Sequence, residues 1–279
     1  MLVRMSGALM RGLLVALLIA TPALLLPELA SDQSQIVVLV ALLAGFMTFV
    51  EYNSNAPSIV EFRDAAPFNR LRFITLFLIV FALSAIIKGK AEPSSLTHAL
   101  MSVGTIIGNA LDFPFSPIRL IVLSLPPDVS AAAVQDIRVV AGVSCLISLT
   151  ALIVFCVFVR LGWPVRHGAF NVWINLPLFD PTAGGDVLYR LRRDARVNVA
   201  LGFLLSFALP AIVKLASGLI NPITLDNPQT LIWTITAWAF LPTSMIMRGI
   251  AMHRVASLIE EKRRRAYANA DAERGLQTA

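Results

Sequence analysis

Six apolar runs, at 12–29, 35–50, 71–87, 139–159, 197–220 and 231–247, constrain this chain more than any other feature. A helix needs roughly 20 mainly apolar residues to cross the hydrocarbon core of a bilayer. Backbone groups at that depth have no water to bond, so a run of this kind must satisfy its own N–H and C=O groups as a helix. Composition agrees. Of 279 residues, 57% are hydrophobic and 14% charged, whereas a soluble domain has about 45–50% and about 25%. The expectation is an all-α, polytopic integral membrane protein of about six transmembrane helices in one domain over 1–250, followed by a helical tail over 251–279.

The basic residues set the expected orientation. Eighteen of the 23 lysines and arginines fall in the N-terminal tail, the 51–72 loop, the 160–196 loop and the C-terminal tail. Six spans place all four on one side, and cytoplasmic loops are the basic ones. Both termini are therefore expected in the cytoplasm. The stretch 88–138 is then extracytoplasmic, with Lys88, Lys90, Arg119 and Arg138 against the rule. The first run also has a signal-peptide reading, with 1–11 basic and 12–26 apolar. A cut after Ala30 would put Glu28 where a small residue is wanted, which disfavours it. The net charge of +6 has its explanation in these loops, so nucleic acid is not an expected partner.

Between the third and fourth spans lies a segment of another kind. Apolar residues recur at 96, 99, 100, 103, 106, 107, 110 and 111, the period of a helix. The other stripe reads His98, Ser102, Thr105, Asn109 and Asp112. Ser94 or Ser95 can cap the start, and Pro114 and Pro117 end it. Surface-lying helices usually carry a strongly charged polar face. This one has few charges, so its polar stripe is expected to face the bundle interior or a narrow wet cavity. An eight-residue apolar stretch, 118–125, follows and is too short to span. Re-entrant hairpin, surface-lying amphipathic helix and two further spans all remain open. Gly104 and Gly108 form a GxxxG that permits close helix approach.

Other residues stand out singly. Lys214 is a charge inside the fifth span, and intramembrane charges are costly. Its stem can snorkel to the interface, or it can pair with a carboxylate such as Asp112. Pro210 and Pro242 release the carbonyls of Ser206 and Trp238. Cys145 and Cys156 share one helical face and are expected to pack as small hydrophobes. Arg63, Arg70 and Arg72 sit in a loop dense enough in opposite charges to form a cytoplasmic plug, or to meet lipid phosphates. Arg190, Arg193 and Arg196 belong to a basic helix over 186–196, expected to lie on the cytoplasmic surface against anionic lipid or a partner. Gly184 and Gly185 offer backbone amides to an anion but fit no nucleotide-binding spacing. In the tail, Glu260 and Glu261 are spaced to pair with Arg264 and Arg265.

Catalytic patterns are missing from the sequence. His98, His167 and His253 lie in separate segments, and no HExxH, GxSxG or GxxxxGK[ST] is present. No cofactor or metal is expected. The halves show no convincing repeat, which weakens an inverted-repeat transporter. The composition and arginine-rich loops have the style of a bacterial inner-membrane protein. Two functions lead: a non-catalytic accessory or scaffold component of a membrane complex, with a membrane-protein partner, or a small-solute or ion transporter or channel using the 96–112 stripe and Lys214; a membrane enzyme comes third.

Overall fold

The computed structural model describes residues 2–26, 31–55, 58–126, 129–164, 170–180, 184–219 and 227–277. The described residues form helices without strands. In chain order these are α1 Leu2–Leu25, α2 Ser31–Asn53, α3 Phe68–Ala91, α4 Ser95–Leu111, α5 Pro117–Ser124, α6 Ala131–Arg160, α7 Val172–Asn175, α8 Val187–Leu219 and α9 Pro228–Gln277. Six of them, α1, α2, α3, α6, α8 and α9, are long and apolar enough to cross a membrane. They carry the six runs, those at 35–50, 71–87, 139–159 and 231–247 each within a longer helix.

Large apolar side chains cover the outside of the bundle. Ile36, Leu39, Phe46, Ile153, Phe203 and Leu215 are all exposed. That distribution suits lipid, where outward apolar residues cost nothing. Two cores lie inside. One joins α3, α6 and α9 through residues such as Ile79, Leu83, Val140 and Ile235, with Ile118 and Ile121 of α5 closing its side. The other sits where α3 begins and α6 ends, and is aromatic: Phe62, Phe68, Phe155, Trp163 and Phe179. Several hydroxyls within the spans bond back to their own helices, as Thr75 does to the Leu71 carbonyl, Ser84 to Val80 and Ser144 to Val140. Their polarity is thus satisfied without a neighbour.

Three expectations change. The 186–196 segment is not a separate surface helix but the opening of α8, since nothing between Asp186 and Val197 breaks a helix. Its Leu191 and Ala195 are buried in the aromatic core beside Ala251, Met252 and Val255 of α9. Glu260 and Glu261 do not pair with Arg264 and Arg265: Glu260 crosses to α8, and Glu261 turns back along its own helix. They reach Arg192, at 2.6 Å, and Arg254, at 3.7 Å. The neighbouring α8 offers Glu260 a partner that the i,i+4 pattern cannot reveal. Finally, α1 begins ten residues ahead of its apolar run, taking in Arg4 and Arg11.

Candidate functional site

The stripe-bearing helix, α4, is fixed at both ends to the same end of the bundle. Ser94 caps it: its hydroxyl accepts from the Thr97 N–H at 3.2 Å, and Thr97 Oγ1 accepts from the Ser94 N–H at 2.9 Å. Thr97 then packs on Gly89, in the last turn of α3. The middle of α4 packs on the opening turns of α6. A Cβ added at Gly142 would stand 2.5 Å from the Gly108 nitrogen and 2.7 Å from the Gly104 oxygen. The GxxxG is thus the seam, and backbone meets backbone across it. Lys90 and Asp136, 2.5 Å apart, bind the α3 and α6 ends together beside it.

The seam turns the polar stripe away from the bundle, against the sequence expectation. Thr97, Gly104 and Gly108 are buried, whereas His98, Ser102 and Asn109 are exposed and Thr105 half-buried. His98, Ser102 and Thr105 line an open groove of about 670 Å³ together with Lys90 and Met101. Ser102 and Thr105 donate to the carbonyls of His98 and Met101 on their own helix. Asn109 and Asp112 do not line that groove. The apolar stripe also faces outward, with Ile106 68% exposed.

Asp112 is the centre of an ion cluster. Its side chain is 6% exposed and lies 2.8 Å from Arg119 Nε and 2.6 Å from Arg138 Nε. Arg119 also donates to the Asp112 carbonyl at 3.2 Å, and Arg138 to Gln135 at 3.3 Å. One carboxylate therefore ties the α4–α5 turn to α6 and accounts for two of the four basic residues that defied the orientation rule. Lys214 joins another partner than Asp112. Its ammonium donates to the Leu123 carbonyl at 2.8 Å, in the last turn of α5, where the helix dipole welcomes a cation.

At the opposite end the loops fold into a cap. Glu51, at the close of α2, accepts from the N–H groups of Ser58, Ile59 and Val60 at 2.7, 2.7 and 2.9 Å. Arg63, its side chain 9% exposed, donates back to the carbonyls of Glu51 and Ser54 at 3.1 and 2.9 Å. Asn175 stitches the two loops: its carbonyl accepts from Phe62 N–H and its Oδ1 from Asp64 N–H. Trp163 Nε1 donates to the Ala65 carbonyl at 3.0 Å. Glu61 grips Arg248 of α9 through both oxygens, one pair at 2.7 Å. Of the readings open for the 51–72 loop, the folded plug describes these contacts, and Trp163, Asn175 and Phe179 from the 160–196 stretch complete it.

The arginines proposed as lipid or partner contacts divide. Arg63 is spent inside the cap, and Arg72 lies over the Phe68 ring, its Nε buried without a hydrogen-bond partner. Arg190 covers Phe179, and Arg193 pairs with the neighbouring Asp194 at 3.1 Å. Arg70 and Arg196 are exposed. Outside the spans, Asp186 accepts from Arg263 of α9 at 2.9 Å, and this bond, with the Leu188 N–H, holds its carboxyl below the usual carboxylate range. His167 lies outside the described residues, while Gly184 and Gly185 stand in open space. The sequence reading missed Asn175 and Glu51, whose partners lie in loops, and His253 and Arg254, which share a groove with Arg196. Only the run of basic residues at the end of the last apolar segment pointed toward that pair.

Six long apolar helices with large apolar side chains on the outside of the bundle define a polytopic helical membrane protein. The chain matches no protein-family model, no curated protein and no solved structure.

Proposed function

We propose that this chain is a non-catalytic accessory or scaffold component of a membrane complex, in a bacterial inner membrane with both termini cytoplasmic. The observation that carries the reading is the closed cap and the helix that leaves it. The loops that would form a mouth at the basic end are packed around Phe62, Phe68, Phe155 and Trp163. From this base α9 runs on to Gln277, with Lys262, Arg264, Arg265 and Tyr267 exposed. A fixed base with an exposed helical extension suits docking of a protein partner. The intramembrane charges support it as well: Asp112 and Lys214 hold α4 and α5 in place rather than opening a route. In this reading 95–124 is a shallow element of the outer leaflet, because Thr97 meets the end of α3 and Asp112 the start of α6. The basic belt faces anionic lipid headgroups on the cytoplasmic side, and nucleic acid is no partner.

The transport reading has one observation in its favour, the open groove shared by His98, Ser102, Thr105 and Lys90. One purification separates the two. The chain, tagged at its C-terminus and extracted gently, is weighed intact with whatever accompanies it. A stoichiometric protein partner that is lost when residues 262–279 are removed supports the scaffold. A bare chain, together with solute flux in proteoliposomes that Ser102→Cys labelling blocks, sinks it in favour of transport.

A further inference from the structure

A groove of about 640 Å³ opens sideways from the bundle between α6, α8 and α9, near the cap. Its walls change character along its length. Val159, Val199, Ala200, Phe203 and Ile250 make one stretch apolar. Arg196, His253 and Arg254 close the other. The change falls near the ends of the apolar runs of all three helices. The apolar run of α6 ends at Val159, that of α8 starts at Val197, and that of α9 ends near Met247. Trp163, at the foot of α6, sits beside it and accepts from Arg254 Nε at 3.3 Å through its carbonyl. The basic trio therefore stands at the depth of lipid phosphates and the apolar stretch at the depth of acyl chains.

The charges there are only partly spent. Arg254 lies 3.7 Å from Glu261, a loose pairing. Arg196 has no carboxylate partner among the described residues, and its Nε reaches the Arg192 carbonyl at 3.4 Å. Arg196 and His253 are both exposed. Basic pockets between membrane helices at this level take anionic headgroups. Guanidinium groups match a phosphate geometrically, with parallel N–H donors.

We propose that this groove holds one anionic phospholipid, its phosphate between Arg196, His253 and Arg254 and one acyl chain along Val159, Val199 and Phe203. The site needs both halves. Charge alone would attract any anion, and the apolar wall alone any lipid. It is independent of which side of the membrane the cap faces, and of the scaffold reading.

The full chain is placed in phosphatidylcholine nanodiscs containing phosphatidylglycerol, then released into mild detergent and weighed intact. The wild type is expected to keep one phosphatidylglycerol and no phosphatidylcholine. Arg196→Gln is expected to weaken that retention about fivefold, the worth of one basic side chain near an anionic surface. Ala200→Phe fills the groove from an exposed position, leaves the charge unchanged and is expected to abolish retention; Ala200→Leu is the milder version should the first fail to fold. Millimolar inorganic phosphate is expected to leave the lipid in place. Equal retention by the wild type and the variants overturns the site. So does loss with Arg196→Gln but not with either Ala200 variant, the pattern of surface attraction alone. Displacement by phosphate overturns the lipid assignment.

Discussion

Gly142 shows what decides helix packing when the surroundings are as apolar as the side chains. Lipid gives leucines and isoleucines no reason to seek one another, so close backbone approach and polar contacts set the interface. On α4 the glycines win the inner face, and Ile106 is left outside. Gly142→Leu would drive a side chain into the Gly108 backbone, 2.5 Å from where its Cβ must stand. The expected loss is about 1–3 kcal/mol, the usual cost of overpacking, read from denaturant unfolding in detergent; a variant as stable as the parent would contradict the seam. Asp112 invites a second test. Asp112→Asn leaves Arg119 and Arg138 facing each other, half-screened by water. A penalty of about 2 kcal/mol is expected, below the 3–5 of a fully buried pair, and Arg138→Gln in the same chain should restore part of it. Trp238 provides a third. Its indole donates at 3.0 Å to the Ser206 carbonyl, the group Pro210 releases. Trp238→Phe is expected to cost about 0.6 kcal/mol, the average for hydrogen bonds between membrane helices, and at most about 1.7, measured by the same unfolding assay; no change would mean that this hydrogen bond does not stabilise the fold.

Among the elements, the contact between α8 and α9 carries a pH dependence. Asp186, ahead of α8, is fully ionised at neutral pH and bonded to Arg263. Its carboxyl is held below 3.8, its ordinary value. A depressed acid stabilises the folded form above its ordinary pKa and loses that contribution as pH falls through the lowered one. Hydrogen exchange over 256–265 should therefore be flat between pH 5 and 8 after correction for intrinsic rates, and protection should decline below about pH 4. Protection that fell instead between pH 7 and 5 would assign the staple to another group. The same region shows what a sequence can and cannot reveal. The spans were legible because hydrophobicity over 20 residues is a property of one segment alone. The period of α4 was legible too, as was its Ser94 cap, but its facing was not. The buried seam lies one residue away from the stripe His98, Ser102, Thr105, Asn109, which is about 100° around a helix. Whether Glu260 bonds to Arg264 or to Arg192 depends on a neighbouring helix 68 residues distant in sequence. The plug could be guessed from charge density in 51–72, whereas its aromatic floor required Trp163 and Phe179 from another loop.

Across the whole molecule, the two ends differ in kind. One carries α4, α5 and the Asp112 cluster; the other carries the cap and the tail. Cysteines at Ser102 and Tyr267, both exposed, should label from opposite sides of a sealed vesicle with an impermeant maleimide. Labelling of both from one side would undo the six-span topology. The tail also has a mechanical meaning. At 1.5 Å per residue the 50 residues of α9 would measure about 75 Å if straight, more than twice the roughly 30 Å of hydrocarbon they cross. Arg192 and Arg263 clasp the helix just outside the membrane, through Glu260 and Asp186. Such a clasp acts as a fulcrum. The arm beyond it, 14 residues to Gln277, is about 21 Å long, so a tilt of about 5° in the buried part moves the tip by about 2 Å.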